Sequence, residues 1–399
     1  MFETGVRQLR MAWSMLRGAP ISPRNLERLI EDARATLRVF GAPGSDVEQL
    51  LDGPFADPGM RRHLQDTSLR RTVKRAARVC PYYREALAAR EIDPSAVSTR
   101  TIENLPLTRK SDVQTRVADF IADGSRPFLA TRSTGTTGQP VAIWMSRYEA
   151  ELWPALAALA GLLRGEIAED DCMQINVSSR ATAAVQQNVS VCRLAGAACH
   201  VLGLIPAAES VRNLIGPFPP TLLGTYPSYL AEMVEAARRI GLGPGDFRLR
   251  RIDSGGEVLS PDLAAAATQT FGARVTDVFA MTEVLPVSGR TCSQGHLHHD
   301  LNMGYVEVVD PATGLGVGLG ELGSVTITPY FPYRECMPLL RYETRDMVCR
   351  LAEDDLTCEL AGMPATSAIL GKADHLDLPQ ARLVRVRADL RELTFTSAA

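Results

Sequence analysis

The stretch TRSTGTTGQP, residues 131–140, carries the residue types that phosphate chemistry needs. Gly135 and Gly138 let backbone N–H groups turn toward an anion, and Ser133, Thr134, Thr136 and Thr137 can donate to phosphate oxygens. Gln139 stands where a Walker-type loop carries its lysine, so the positive charge has to come from elsewhere. On its own such a cluster is more often a surface turn. Three further stretches add to it. DSGGEVLS (253–260) sets Ser254, Gly255, Gly256 and Glu257 at the end of an expected strand, where bare backbone can approach a planar ring. DVFAMTEV (277–284) ends a second strand with Asp277, Phe279, Ala280, Met281, Thr282 and Glu283. There Phe279 can stack, Thr282 can hold phosphate and Glu283 can hold Mg²⁺. RYETRD (341–346) places Asp346 where a carboxylate can accept two ribose hydroxyls. Tyr226, Pro227 and Ser228, in TYPSY (225–229), offer an aromatic wall for a bound acid. Singly, each has a plainer reading, since aromatics at strand ends are mostly core and acids in turns mostly solvated.

A second constellation is Cys292, His296, His298 and His299 in TCSQGHLHHD, with Cys336, Cys349 and Cys358 downstream. Zinc takes four Cys/His ligands, and the spacing of Cys292 and His298 suits a knuckle that supplies two. Buried free thiols are the alternative.

The elements that must position these residues alternate as α/β proteins do. A helix is expected to start at the Ser260 cap with Pro261 in its first position and to end at Gly272, followed by a strand from Arg274 to Phe279. Gly241 marks another helix stop. GYVEVVDPATGLGVGLGELGSVTITPY reads as two β-rich runs around a Gly/Pro-rich connection. From Leu69 the apolar positions Leu69, Val73, Ala76, Ala77 and Cys80 keep the helical period, with Arg70, Arg71, Lys74, Arg75 and Arg78 expected on a solvated face.

The 399 residues are 45% hydrophobic and 22% charged with a net charge of −3, so no basic field points to nucleic acid or an anionic membrane. No run approaches the roughly 18 apolar residues of a membrane span. Eight cysteines are too sparse for a disulfide scaffold, which makes a reducing cytoplasm the expected location. Lysine is confined to Lys74, Lys110 and Lys372.

In chain order, STGTTGQP, SGGE, FAMTE, RYETRD and GKADH (371–375) resemble the motifs of the adenylate-forming superfamily of acyl-CoA synthetases, adenylation domains and luciferases. TVKRAARVCPYYREAL followed by ENLPLTRKSDV is most similar to the phenylacetate–coenzyme A ligase branch. The resemblance implies an α/β large domain with two sheet-and-helix subdomains and a β-rich one. It divides the chain into a helical region (1–60), that large domain (61–370) and a hinge remnant with a tail (371–399). It gives Ser133 to Gly138 the ATP phosphates and places Ser254 to Glu257 around the adenine. Phe279 takes the family's tyrosine position, Thr282 and Glu283 hold phosphate and Mg²⁺, and Asp346 holds the ribose. Lys372 falls where the family usually has arginine, and Asp374 at its interdomain hinge. Members of this branch often pair the cysteine and histidine with a later C-x-C. Here Leu360 follows Cys358 by two, so Cys336 is expected to join Cys292, His298 and Cys358 around a structural zinc.

Two departures bear on function. Arg345 stands where many relatives have glycine. Relatives also continue as a mobile lid that carries an activating lysine, whereas a short tail without lysine follows GKADH, so the lid is expected to be absent. The implied reaction is attack of a small or aromatic carboxylate on the α-phosphorus of Mg·ATP, giving an acyl-adenylate and pyrophosphate. CoA, a carrier protein or an amine would be the acceptor, and a homodimer is compatible with the branch. Adenylation of another oxyanion such as nitrite, or a nucleotide-binding remnant without catalysis, are the alternative readings.

Overall fold

Short apolar runs flanked by helix caps fold as the alternation predicts. The computed structural model describes residues 2–41, 57–132, 140–179, 181–353, 356–361, 363–373, 381–386 and 393–397. Strands β1 (Pro127–Arg132) and β2 (Ala142–Ser146) precede and follow residues 133–139. Ser133, Thr134, Gly135, Thr136, Thr137 and Gly138 therefore lie outside the described residues, as does Asp374.

The chain divides into two compact units. The first comprises residues 1–47, 131–140 and 150–282. Its centre is five parallel strands, β3 (Cys172–Asn176), β4 (Ala198–Val201), β5 (Leu222–Thr225), β6 (Arg251–Gly255) and β7 (Arg274–Ala280), in the order β7-β6-β5-β3-β4. Every residue of β5 is buried, as expected of a parallel strand covered on both faces. Leu223 and Ile252 of the sheet pack with Leu230, Met233, Val234 and Ala237 of the helix Pro227–Ile240 and with Phe271 of the helix Pro261–Phe271. The cap residues act where the sequence places them. Ser260 Oγ accepts from the Leu263 amide at 3.2 Å, and Gly272 and Gly241 close their helices in left-handed conformation. The strand order reverses between β3 and β5, and in open α/β sheets ligands bind outside the carboxyl ends of strands near such a point.

The second unit comprises residues 48–130, 141–149 and 283–399. Strands β8 (Ser288–Thr291) and β9 (Leu297–His299) form an antiparallel hairpin. Strands β10 (Gly304–Val309), β11 (Leu322–Pro329) and β12 (Tyr342–Cys349) form an antiparallel meander. β13 (Ala365–Thr366) pairs with β9, and β14 (Gly371–Lys372) with β12. A last hairpin joins β15 (Ala381–Val386) to β16 (Leu393–Ser397). The helix Pro58–Val79 buries Leu69, Val73 and Ala76, the stripe the sequence marks. Its basic residues are only partly solvated. Arg70, Lys74 and Arg78 are exposed, whereas Arg71 and Arg75 are half-buried and the Arg75 guanidinium stacks on Phe331 at 4.3 Å.

At the end of β6 the backbone runs so close to β7 that a Cβ on Gly255 would lie 2.5 Å from the Val278 carbonyl oxygen. Gly255→Ala should therefore cost about 1–3 kcal/mol in chemical denaturation, the usual range for overpacking. Gly224→Ala, whose Cβ would meet only Met173 at 3.8 Å, should be near neutral by the same measurement.

Candidate active site and candidate metal centre

Thr225, Ser254 and Asp277 are register partners on β5, β6 and β7, so the segments that follow them leave the sheet side by side. Neighbouring strands lie about 4.8 Å apart, which puts the three segments within roughly 10 Å of one another. Tyr226–Ser228, Gly255–Glu257 and Ala280–Thr282 thus share one edge of the first unit. Gly256, at φ +82°, lies directly under the Tyr226 ring, where a Cβ would meet ring carbons at 3.2 and 3.3 Å. Burial raises the Tyr226 phenol above its ordinary range. Glu257 accepts from the Ser228 amide at 2.9 Å and from its hydroxyl at 3.0 Å. That places a carboxylate on the first turn of the helix Pro227–Ile240, whose N-cap Tyr226 supplies no side-chain cap. Ser254 is buried on the core side with Ile252, and Phe279 is 9% exposed while its neighbour Ala280 is exposed. Asp277, Met281 and Thr282 are half-buried.

In the second unit Glu283 is buried near Tyr342, whose own ionisation is pushed up by burial and by that carboxylate. The same acid faces the Arg334 guanidinium, which is 1% exposed and donates to the carbonyls of Met337 at 2.8 Å and Leu285 at 2.9 Å. Arg334 also faces Glu149, whose carboxylate accepts the amides of Ser146, Glu335 and Cys336. Arg334, Tyr342 and Glu149 carried no signal of chemistry in the sequence, because isolated arginines, tyrosines and glutamates are mostly exposed.

Asp346 and Lys372 are register partners on β12 and β14. Lys372 Nζ lies 2.9 Å from Asp346 Oδ1 and donates to the Thr344 carbonyl at 3.1 Å. Burial raises the Asp346 carboxyl and the lysine opposes that shift. The preceding Arg345 sits at φ +64°, a conformation that suits the glycine of many relatives at this position better than an arginine.

The Cys/His cluster differs from the expected set in one member. Cys292, His296, His298 and Cys358 are buried with their donor atoms within 4.8 Å of one another. Cys336 is elsewhere: its thiol lies 3.8 Å from Ser125 Oγ, and burial and Glu149 push it up to about 11. The β8–β9 hairpin explains the exchange. Its turn bonds the Cys292 amide to the His296 carbonyl at 2.9 Å, and the His296 amide donates to Cys292 Sγ at 3.3 Å, so His296 is folded back beside the cysteine. The segment bearing Cys358 is fastened to this turn through Ser293–Glu359 and Gln294–Thr357 contacts. His298 Nε2 is 3.4 Å from Cys358 Sγ, and burial pulls the His298 imidazole down to about 4, keeping it neutral. His296 Nδ1 is buried with no hydrogen-bond partner among the described residues. Two thiols and two neutral imidazoles in a closed set fit a structural zinc, which would ionise the thiols.

Comparisons with known proteins bear on the whole chain. The sequence profile described as AMP-binding enzyme matches residues 17–329. The chain belongs to the AMP-binding enzyme family. Curated relatives of this AMP-binding enzyme include the phenylacetate-coenzyme A ligase of Pseudomonas putida, 25% identical over 305 residues, covering 72% of this chain and 66% of that protein. The phenylacetate-coenzyme A ligase of Thermus thermophilus is 24% identical over 327 residues, covering 79% and 71%. The match thus spans just under two thirds of the length of the Pseudomonas protein. An open conformation of 2-hydroxyisobutyryl-CoA ligase, solved with 2-HIB-AMP and CoA, superposes with a TM-score of 0.68 at 21% identity, over 79% of this chain and 76% of that one. The fold of this AMP-binding enzyme is the α/β large domain of adenylate-forming enzymes.

Two outcomes are expected. Purified protein should carry about one zinc per chain, and chelation should lower its melting temperature; Cys358→Ser should lose the metal, whereas Cys336→Ser should keep it. Lys372→Met leaves Asp346 buried without its cation and should cost about 1–3 kcal/mol at neutral pH. Because the folded-state pKa of Asp346 lies above its ordinary value and rises further in the variant, the deficit should shrink as pH falls. It should vanish below about pH 4, where the carboxyl is protonated in both states. Denaturation curves across pH check the sign.

Proposed function

We propose that the chain activates a carboxylic acid with ATP, releasing pyrophosphate and forming an acyl-adenylate that is passed to CoA. Family membership supports AMP-forming chemistry, and the alignment of Tyr226–Ser228, Gly255–Glu257 and Ala280–Thr282 at one strand edge is the observation that carries the reading. A carboxylate oxygen of the acid attacks the α-phosphorus, and the bond to the bridging oxygen of pyrophosphate breaks. The chain's part is to hold nucleophile and phosphorus in line and to meet the developing charge. In this reading residues 133–138 donate to the phosphates, Gly255 and Gly256 let the adenine approach the backbone, and Phe279 lies against it. Tyr226 walls the acid. Asp346 accepts the ribose hydroxyls, and Lys372, 2.9 Å away, favours the ionised carboxylate, the form that can accept both. Tyr342 and Arg334 lie near Glu283, the residue that follows Thr282 in the chain. A Mg²⁺ ion bound at Glu283 would supply the charge that Gln139 does not.

The relatives act, by name, on phenylacetate and on 2-hydroxyisobutyrate with CoA as acceptor, so a small or aromatic acid is the substrate class proposed here. Among the described residues no helix is long and apolar enough to cross a membrane.

ATP–pyrophosphate exchange with a panel of such acids tests the reading, with exchange above background expected for at least one. Asp346→Ala should weaken ATP binding by about 1.5–3 kcal/mol, the loss expected for hydrogen bonds to a charged group. Unchanged affinity by calorimetry would remove Asp346 from the nucleotide site.

A further inference from the structure

Apart from the proposed nucleotide, acid and metal sites, the second unit contains a cavity of about 340 Å³. That is near the lower end of small-molecule sites, about 300–1,000 Å³. Arg75, Arg126 and Arg147 line it with Ser125, Ser146 and Tyr148. Among the described residues, none of the three arginines forms an ion pair. Two of them instead lie over aromatic rings, Arg75 with Cζ 4.3 Å from the Phe331 ring centre and Arg147 with Cζ 4.5 Å from that of Phe128. A guanidinium packed on a ring without an ion-pair partner still has N–H groups to donate, and these bind phosphate in a fork.

The two acids at the cavity are already engaged. Asp123 pairs with Arg84 at 2.6 Å, and Glu335 accepts the Ser146 hydroxyl at 2.8 Å. Glu335 also acts on Arg75, partly offsetting the burial that disfavours its charge. The walls are tied by backbone bonds. The Asp123 amide donates to the Val79 carbonyl at 2.6 Å and the Ala122 amide to the Cys336 carbonyl at 2.8 Å, while Gly124 turns the loop at φ +76°. Three guanidiniums without ion-pair partners among the described residues, two of them packed over rings, have a shared chemistry: they match a dianion with several acceptor oxygens.

We propose that this cavity binds a phosphate group carried by a small molecule. The group could belong to coenzyme A, which has a phosphate monoester besides its diphosphate, or to a free phosphate compound. The inference does not depend on acid activation, and a failure of pyrophosphate exchange would leave it standing.

Calorimetric titration of the full chain with CoA, dephospho-CoA and pyrophosphate provides the test. At least one probe should bind, and Arg126→Ala should weaken it about tenfold or more, with partial recovery in Arg126→Lys. Arg126 is exposed, so its substitution should leave the melting temperature unchanged; Arg147→Ala, which removes a second guanidinium, should weaken the same probe. Preference for CoA over dephospho-CoA would assign the monoester of the coenzyme, and equal binding of pyrophosphate would assign a free phosphate compound. No binding of any probe, or binding unaltered in Arg126→Ala and Arg147→Ala, would overturn the proposal. Pyrophosphate held only by residues 133–138 would give that second result.

Discussion

Thr225, Ser254 and Asp277 sit opposite one another on three parallel strands, and the edge shared by the segments after them depends on that register. Parallel ladders fix which residue emerges last from each strand, so a shift of one residue would turn every following side chain to the other face. The register is held by packing on both faces, with Leu223 and Ile252 locked among Met233, Val234 and Phe271. It also brings β6 so close to β7 that a Cβ at position 255 would press on the Val278 carbonyl oxygen. The Tyr226 ring over Gly256 and the Glu257–Ser228 bonds follow from the same alignment. Tertiary packing thus makes three distant sequence motifs into one surface.

The second unit relies on a different device, buried cations that gather backbone carbonyls and acids. Arg341 is 1% exposed and donates to Glu307 as well as to the carbonyls of Leu105 and Gly314 at 2.7 Å. Arg334 does the same for Met337 and Leu285 while facing Glu149 and Glu283. Buried charges of this kind contribute little net stability, because desolvation offsets attraction, but removing one partner is costly. Their effect is positional. They anchor the start of β12 and the segment after Glu283, from which Asp346 and Glu283 are presented.

The metal candidate shows how a local turn can override spacing. Cys336 has the right residue type, and only a placement far from the hairpin removes it from the donor set. His296 replaces it because the turn between β8 and β9 closes through Cys292 and His296 themselves. Within the sequence, His296 stood two residues from His298 and was a member of the constellation. The turn geometry that selects it depends on hydrogen bonds that residue spacing does not encode.

Local chemistry made much of this protein legible beforehand. The Ser260 cap, Pro261 and Gly272 bound a helix because they satisfy or terminate backbone hydrogen bonds within one turn, and the buried stripe from Leu69 follows from helical period alone. Motif order marked Glu257, Glu283 and Asp346. What those acids touch was decided only by the fold. Glu257 finds Ser228 across two strand ends, Asp346 finds Lys372 across an antiparallel ladder, and Glu283 finds Tyr342, and each contact joins residues at least 26 positions apart. Arg75 gives the same lesson in reverse. Its place in a basic helical run predicts a solvated face, yet Phe331 packs over it, since a side chain's exposure is set by what the rest of the chain brings against it.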